Sequence, residues 1–260
     1  MNTQRFEHAI ALRDSGRVEE ALRELTELAA SAADAEEKAT LLMNVSTCLM
    51  NLDRLKEARE HLSHARRIAP RTQGLLYLDF QEAALWSRED RWDKTLKILD
   101  RLKRDHGELL LAAEHRELYE QIQYFRGTAL VALSRYREAR AVLEECNSFH
   151  LDVSDELQAL YELGACYAHL KENERAKEAL EEALRRGLQG PGAVYAHYYL
   201  GKIHFSEAAY AKAMKEFEFC LSQADHGQIP KGHIYTWLAA TARNLGMGRD
   251  AERYESLAKE

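Results

Sequence analysis

Apolar residues recur along the chain at three- and four-residue intervals, with charged residues between them. Stretches such as VEEALRELTELAA (18–30) and AKEALEEALRR (176–186) are typical of a helix that buries one face and exposes the other. No alternation of apolar and polar residues of the kind that marks a half-buried strand stands out. The 3 prolines, at 70, 191 and 230, lie between the periodic stretches, as expected of short connections between helices. The pattern therefore predicts an all-α chain.

The helical stretches repeat, and two columns of small residues keep in step through seven copies. One column, the second-helix anchor, consists of Ala21, Ala58, Thr95, Ala139, Ala176, Ala213 and Ala251. Twelve residues earlier stands the first-helix anchor: Ala9, Ser46, Ala83, Gly127, Gly164, Gly201 and Ala239. The steps between copies are 37, 37, 44, 37, 37 and 38 residues. Self-similarity at such an interval predicts a repeat architecture.

Two further columns follow the second-helix anchor. Four residues after it stand Leu25, Leu62, Leu99, Leu143, Leu180 and Phe217, with Glu255 as the exception in the last copy. Seven residues after it stand Leu28, Ala65, Leu102, Cys146, Ala183, Cys220 and Ala258. These columns predict seven helix–turn–helix units, in which small residues let two helices approach and the next side chain fills the gap. Each pair leaves an apolar face that only the next pair can cover, so the pairs must stack.

The fifth and sixth copies, YELGACYAHLKENERAKEALEEAL (161–184) and YYLGKIHFSEAAYAKAMKEFEFCL (198–221), resemble the tetratricopeptide repeat family. The family's Leu-Gly pair appears as Leu163-Gly164 and Leu200-Gly201, and its helix-closing proline as Pro70. The interval of 37 residues exceeds the 34 that the family favours. The resemblance implies a right-handed superhelical solenoid of about seven repeats and ~14 helices, formed as one domain over residues 1–260. The expected repeats are 2–33, 35–70, 72–106, 114–148, 154–187, 191–224 and 230–260.

The 44-residue step places an insertion around KRDHGELLLAAEHRELYEQ (103–121). We expect it to lengthen the start of the fourth unit's first helix, which would then project beyond its neighbours. A solvated extension is the simpler interpretation, and a docking feature is the alternative.

In stacked repeats of this family the first helices line a concave groove. The residues of each first helix that face this groove are identified by their helical spacing from the first-helix anchor, and they are the candidate binding residues. They are Tyr77, Phe80, Tyr124, Phe125, Tyr161, Glu162, Tyr195, Tyr198, Tyr199, Lys202, Phe205, Trp237 and Arg243. On the helix AVYAHYYLGKIHF (193–205), Leu200, Ile203 and His204 are expected to pack into the stack instead. Five other aromatic residues fall at inter-helix columns and are expected in the core: Trp86, Trp92, Tyr136, Tyr167 and Tyr210. The family commonly has Tyr three residues before the small anchor, so Phe80, Tyr124, Tyr161 and Tyr198 also fit a scaffold role, and packing between repeats is an alternative to ligand binding.

Charge and composition narrow the function. The net charge of −7 argues against a general nucleic-acid binder, and no apolar run is long enough for a membrane span. The four cysteines form no CxxC pair and stand beside no ligand-spaced histidine, so we expect reduced thiols of a cytoplasmic protein, no metal site and no cofactor. No nucleophile-elbow, zinc-protease, phosphate-loop or dinucleotide motif occurs, and we expect no enzyme.

The leading hypothesis is a non-catalytic scaffold or adaptor that binds a partly apolar peptide or helix of a partner protein in the aromatic groove. Some family members clamp the C-terminal carboxylate of a chaperone tail, but that clamp is incomplete here: Asn44 suits it, whereas Phe6, Tyr77 and Gln81 occupy neighbouring slots. Two alternatives stay open, a self-assembling homo-oligomeric scaffold and a groove that senses a short peptide or apolar small ligand.

Overall fold

The structure, a computed structural model, describes residues 2–69, 72–146, 148–223 and 229–259, except the side chains of 72 and 73. Pro70, the expected helix stop, lies outside these residues. The helices are α1 Thr3–Asp14, α2 Val18–Ser31, α3 Ala35–Asn51, α4 Leu55–Ile68, α5 Thr72–Arg88, α6 Trp92–Leu110, α7 Arg116–Ala132, α8 Tyr136–Cys146, α9 Val153–His169, α10 Asn173–Arg185, α11 Gly190–Ser206, α12 Tyr210–Ser222, α13 Lys231–Asn244 and α14 Gly248–Leu257. Within the described ranges there is no strand, and the all-α prediction is confirmed.

The helices form two compact units, Met1–Leu133 with α1–α7 and Ser134–Glu260 with α8–α14. Within each unit, every helix packs against the next one along the chain. Some first helices also contact each other, since α5 contacts α3 and α7 in the first unit, and α9 contacts α11 in the second. A single continuous domain stays a prediction.

The anchor columns meet where the two helices of a pair cross. A Cβ atom added to Gly201 would lie 2.7 Å from Phe217 Cε1, and one added to Gly164 would lie 2.7 Å from Leu180 Cγ. Both distances are below van der Waals contact, so these pairs have room for glycine alone. Where the anchor carries a hydroxyl, the two columns hydrogen-bond instead: Ser46 Oγ donates to the Ala58 carbonyl at 3.1 Å. The predicted close approach is confirmed at these positions.

The turns inside the helix pairs follow the same interval. The residue in the left-handed conformation is Gly16, Asp53, Asp90, Ser134, Lys171, Ala208 or Gly246, with φ between 57° and 83°. The next backbone N–H then bonds back to the end of the first helix, as in the 2.8 Å bond from Ala209 N–H to the His204 carbonyl. This turn repeats although only its first and last copies have glycine at the left-handed position.

Ion pairs join successive helix pairs as well as residues on one helix. The residue after the second-helix anchor reaches the turn of the following pair in three places: Arg59 to Glu89 at 2.7 Å, Arg140 to Glu172 at 2.6 Å and Lys177 to Glu207 at 3.0 Å. Arginines at the start of second helices pair with a carboxylate three residues later, as Arg54 does with Glu57 at 2.6 Å. These pairs are partly or largely exposed, so each contributes little to stability by itself.

The insertion differs from the expectation. The extra residues lengthen the end of α6, which has 19 residues and a non-helical backbone at His106, and then form a short 3₁₀ helix at Ala113–His115. Helix α7 has 17 residues, the same as α3 and α5, so it does not project. Leu110 is fully buried and packs with Leu118 and Ile122. An apolar residue near the end of the insertion is therefore pulled into the core, which the solvated-extension interpretation overlooked.

Replacing Gly201 by alanine tests the close approach. The added methyl group would overlap Phe217, and overpacking of this kind lowers the free energy of unfolding by about 1–3 kcal/mol. The matched control is Gly74→Ala in α5, where the new Cβ would meet no atom within 4 Å and where helix propensity favours alanine by up to ~1 kcal/mol. Thermal melts followed by circular dichroism measure both. Equal effects of the two substitutions would contradict the account.

Replacing Ala208 by glycine tests the turn. Ala208 has φ 58°, a conformation that costs a residue with a Cβ about 1–2 kcal/mol and glycine almost nothing. After the greater flexibility of glycine in the unfolded chain is subtracted, Ala208→Gly should raise the free energy of unfolding by about 0.5–1 kcal/mol. Ala141→Gly, an exposed position in the middle of α8, should lower it by about 1 kcal/mol. Destabilisation by Ala208→Gly would show that the turn does not require this conformation.

Candidate functional site

In the first unit the candidate aromatic residues pack mainly on one another. The Phe80 and Phe125 ring centroids lie 5.3 Å apart edge to face, and those of Tyr124 and Phe125 lie 5.7 Å apart. Phe80 is 8% exposed and Tyr124 7% exposed, so both serve the core of this unit. Tyr77 is 39% exposed, and its ring centroid lies 6.2 Å from that of His115 in an edge-to-face arrangement. Of these four, Tyr77 offers the most surface to a ligand.

Helix α11 of the second unit has two apolar sides, as the sequence indicates. Leu200, Ile203 and His204 are buried, which confirms that this side packs into the stack. Helical spacing puts five half-buried residues on the other side, and with Tyr161 of α9 and Trp237 of α13 they define the unit-2 aromatic face. That face consists of Tyr161, Tyr195, Tyr198, Tyr199, Lys202, Phe205 and Trp237.

Trp237 is tied into this face by three contacts. Its indole Nε1–H donates to Tyr198 Oη at 3.0 Å, and its ring stacks on Phe217 with centroids 5.6 Å apart and planes 17° apart. Phe205 meets the same ring edge to face at 5.3 Å. Phe217 is the side chain that sits against Gly201. Trp237, Tyr198 and Phe205 therefore pack within the unit as well as contributing to its surface.

A second chain of contacts runs from the other end of the face. His169 Nε2 and Tyr199 Oη are hydrogen-bonded at 3.0 Å, and the His169 ring stacks on Tyr136 with centroids 3.9 Å apart. Tyr199 and Tyr198 meet edge to face at 6.2 Å, which connects this chain with Trp237. Burial raises the pKa of Tyr199 and of Tyr161 well above the ordinary value, so both hydroxyls keep their protons at neutral pH.

Lys202 lies among these rings. Its Nζ is 5.4 Å from the centroid of Tyr198, 5.9 Å from that of Tyr199 and 5.8 Å from that of Trp237. Three cation–π contacts hold the half-buried side chain in place. Its charge also helps to lower the pKa of His169, for which desolvation of the ring is the larger cause.

Glu162 and Arg243, the charged candidates beside the face, have partners within the chain. Glu162 is 4% exposed, and its Oε1 accepts a 3.0 Å hydrogen bond from Gln158 Nε2. Arg243 is exposed and pairs with Glu255 of α14. Glu255 is the one polar residue at the position four residues after the second-helix anchor, and this ion pair gives it a structural role.

Sequence reasoning placed several aromatic residues too deep. Tyr136 was expected in the core, but it is half-buried and stacks on His169, which helical spacing from Gly164 assigns to the groove side of α9. Trp86, Trp92 and Tyr210 are half-buried too. The centroid of the Trp86 ring lies 4.0 Å from Arg59 Cζ and 3.6 Å from Lys94 Nζ. Tyr167 is buried, as expected. The core expectation was wrong for Trp86, Trp92, Tyr136 and Tyr210, because the position of a residue in the repeat does not determine how far solvent reaches its side chain.

Other chemistry is sparse in the part of the chain that the structure describes. No group of three or more His, Cys, Asp or Glu there has a geometry that holds a metal ion. The four cysteines are buried free thiols, and burial raises the pKa of Cys166 and of Cys220 to about 12, which leaves them unreactive at neutral pH. None of the described helices combines the length and the apolar character needed to cross a membrane.

Comparisons with known proteins agree with this architecture. A model of the tetratricopeptide repeat family matches residues 6–71 and 171–218. The type IV pilus biogenesis factor PilW is similar in fold, with a TM-score of 0.61 and 15% identity over 84% of this chain and 91% of PilW. PilF of Pseudomonas aeruginosa has a TM-score of 0.61 and 16% identity, over 85% of this chain and 90% of PilF. A tetratricopeptide repeat protein from Parabacteroides merdae has a TM-score of 0.56 and 15% identity, over 99% of this chain and 91% of that protein. The sequence matches no curated protein. Identities this low establish the fold and no shared partner.

Substituting Lys202 tests the electrostatics of the face. Lys202→Met removes the smaller of the two causes that lower the pKa of His169, so that pKa should rise yet remain below its ordinary value because desolvation persists. An NMR titration of the His169 ring protons, assigned with His169→Gln, measures the shift. The control is Lys212→Met on the exposed surface of α12, which should change nothing. An unaltered His169 titration in Lys202→Met would show that the two groups are not close in solution.

Proposed function

The chain belongs to the tetratricopeptide repeat proteins, and on that premise we propose that it is an adaptor that binds a partly apolar segment of another protein on the unit-2 aromatic face. The family match and the paired helices support the broader role of a protein-interaction scaffold. Proteins of this family generally act as scaffolds without catalysis. The narrower proposal, which face binds and what it binds, rests on the contacts of the second unit.

One observation carries the proposal: half-buried aromatic side chains cover one side of α11 while the opposite side is fully packed. Tyr195, Tyr199 and Lys202 follow one another at intervals of four and three residues, which spaces them along about 10 Å of the helix. Large rings held by neighbouring rings lose little conformational freedom when a ligand covers them. Tyrosine and tryptophan at such positions supply most of the binding free energy of many interfaces.

The chemistry of the face favours a particular class of partner. A ligand helix or an extended segment has periodic side chains that fit between rows of rings. The accessible parts of the Tyr195 and Tyr199 rings suit an apolar or aromatic residue of the ligand. We further propose the cytoplasm as the compartment, which the four free thiols support; recovery of the chain in a secreted fraction would contradict this.

A capture experiment tests the adaptor role. The full chain is immobilised and exposed to a reduced lysate of its own cells, and bound proteins are quantified by mass spectrometry. Tyr195→Ala with Tyr199→Ala should reduce capture of specific partners at least tenfold, because each truncated anchor at an interface costs on the order of 1–2 kcal/mol. Partner capture that survives this double substitution would contradict the proposal.

The matched control is Phe219→Ala. Phe219 belongs to the same unit, is 38% exposed and packs on His197, away from the unit-2 aromatic face. Its truncation should leave capture unchanged. A thermal melt of each variant keeps loss of binding separate from loss of fold, because a variant that melts well below the wild-type chain is excluded from the comparison.

A further inference from the structure

Lys202 is placed differently from the paired cations of α8 and of the neighbouring α10. Lys177, on the neighbouring α10, reaches two carboxylates, Glu174 at 2.9 Å and Glu207 at 3.0 Å. Arg140 and Arg175 share Glu172 and Glu144. Among the described residues, by contrast, no carboxylate lies within 4 Å of Lys202, and the groups around its Nζ are the three rings already named. A half-buried ammonium in that environment has an incomplete set of partners.

The hydrogen-bond donors beside Lys202 point to the same kind of ligand. Tyr198 Oη accepts the Trp237 Nε1–H, and within the described residues its own O–H has no acceptor. Burial raises the pKa of Tyr198, so this hydroxyl stays protonated. An ammonium and a phenol O–H, both on one helix turn, match an oxygen acceptor that carries negative charge.

Resting on the proposed function, we infer that the bound segment presents an acidic side chain to Lys202, next to an apolar or aromatic residue that packs on Tyr195 and Tyr199. The carboxylate would receive hydrogen bonds from the lysine and from the Tyr198 hydroxyl. A cationic ligand residue would be repelled there, and an apolar one would cover the lysine without neutralising it, which costs desolvation of a charge.

The carboxylate belongs to a side chain inside the bound segment rather than to the end of the segment. Holding a terminal carboxylate takes several convergent donors, and the next cation of the candidate set, Arg243, is paired with Glu255. The net charge of −7 disfavours the approach of acidic segments at long range, so the lysine contributes selectivity at contact rather than fast association.

Display of random twelve-residue peptides on phage tests this directly. The peptides are fused to the coat protein through their C-terminus, so no free terminal carboxylate is present. Selections run in parallel on the wild-type chain, on Lys202→Met, on Lys202→Arg, and on Tyr195→Ala with Tyr199→Ala. The wild-type chain should enrich peptides with Asp or Glu beside an apolar or aromatic residue. Lys202→Arg should keep that preference, and Lys202→Met should lose it.

A selected peptide, synthesised with an amidated C-terminus, closes a double-mutant cycle by titration calorimetry. Replacing its acidic residue by the matching amide should weaken binding to the wild-type chain at least tenfold and leave binding to Lys202→Met nearly unchanged. Selected peptides without an acidic residue, or an equal effect of the amide on both proteins, would overturn this inference and leave the adaptor proposal standing. Failure of the wild-type chain to enrich any peptide over the Tyr195 and Tyr199 variant would overturn both.

Discussion

The close approach of two helices at a position without a side chain is the interaction on which the rest of the structure depends. At Gly201 and Gly164 the facing side chain occupies the space that a Cβ would take, and at Ser46 the same crossing is closed by a hydrogen bond to the opposite backbone. The crossing fixes how deeply the second helix of a pair is seated. Because the anchors recur in register, each pair presents its remaining apolar surface at the same height to the next pair, and packing continues along the unit.

The candidate binding face follows from that crossing. Phe217 fills the space at Gly201, Trp237 stacks on Phe217, and Tyr198 accepts the hydrogen bond of the indole. The tyrosine and lysine side chains of α11 thus pack against side chains that belong to the core of the repeat. In the first unit the equivalent rings are more deeply packed, as at Phe80 and Tyr124, which fits the scaffold role that the family position suggested for them. Aromatic content alone therefore does not mark a binding surface; the exposed fraction of the rings and the charge placed among them do.

The sequence was sufficient for the helices, the anchor columns and the two apolar sides of α11, because each follows from local periodicity. It was insufficient for contacts between residues whose positions are not related by the helical or the repeat periodicity. The insertion was assigned to α7 since the interval locates extra residues but not the helix that absorbs them. The stacking of Tyr136 on His169 and the pairing of Arg243 with Glu255 depend on side-chain directions across helices. The left-handed turns at Lys171 and Ala208 were hidden because neither residue type signals that conformation, although their interval of 37 residues equals that of the anchors.

The most direct measurement is the coupling free energy between Gly201→Ala and Phe217→Ala in unfolding. Alanine lacks every ring atom that lies close to the added methyl group, whereas a leucine would still meet it, as Leu180 does at Gly164. The account predicts that Gly201→Ala destabilises the wild-type chain but not the Phe217→Ala chain, with a coupling of at least ~1 kcal/mol. Additive effects of the two substitutions would contradict it, because the methyl group added at 201 would then not meet the side chain of residue 217 at this crossing.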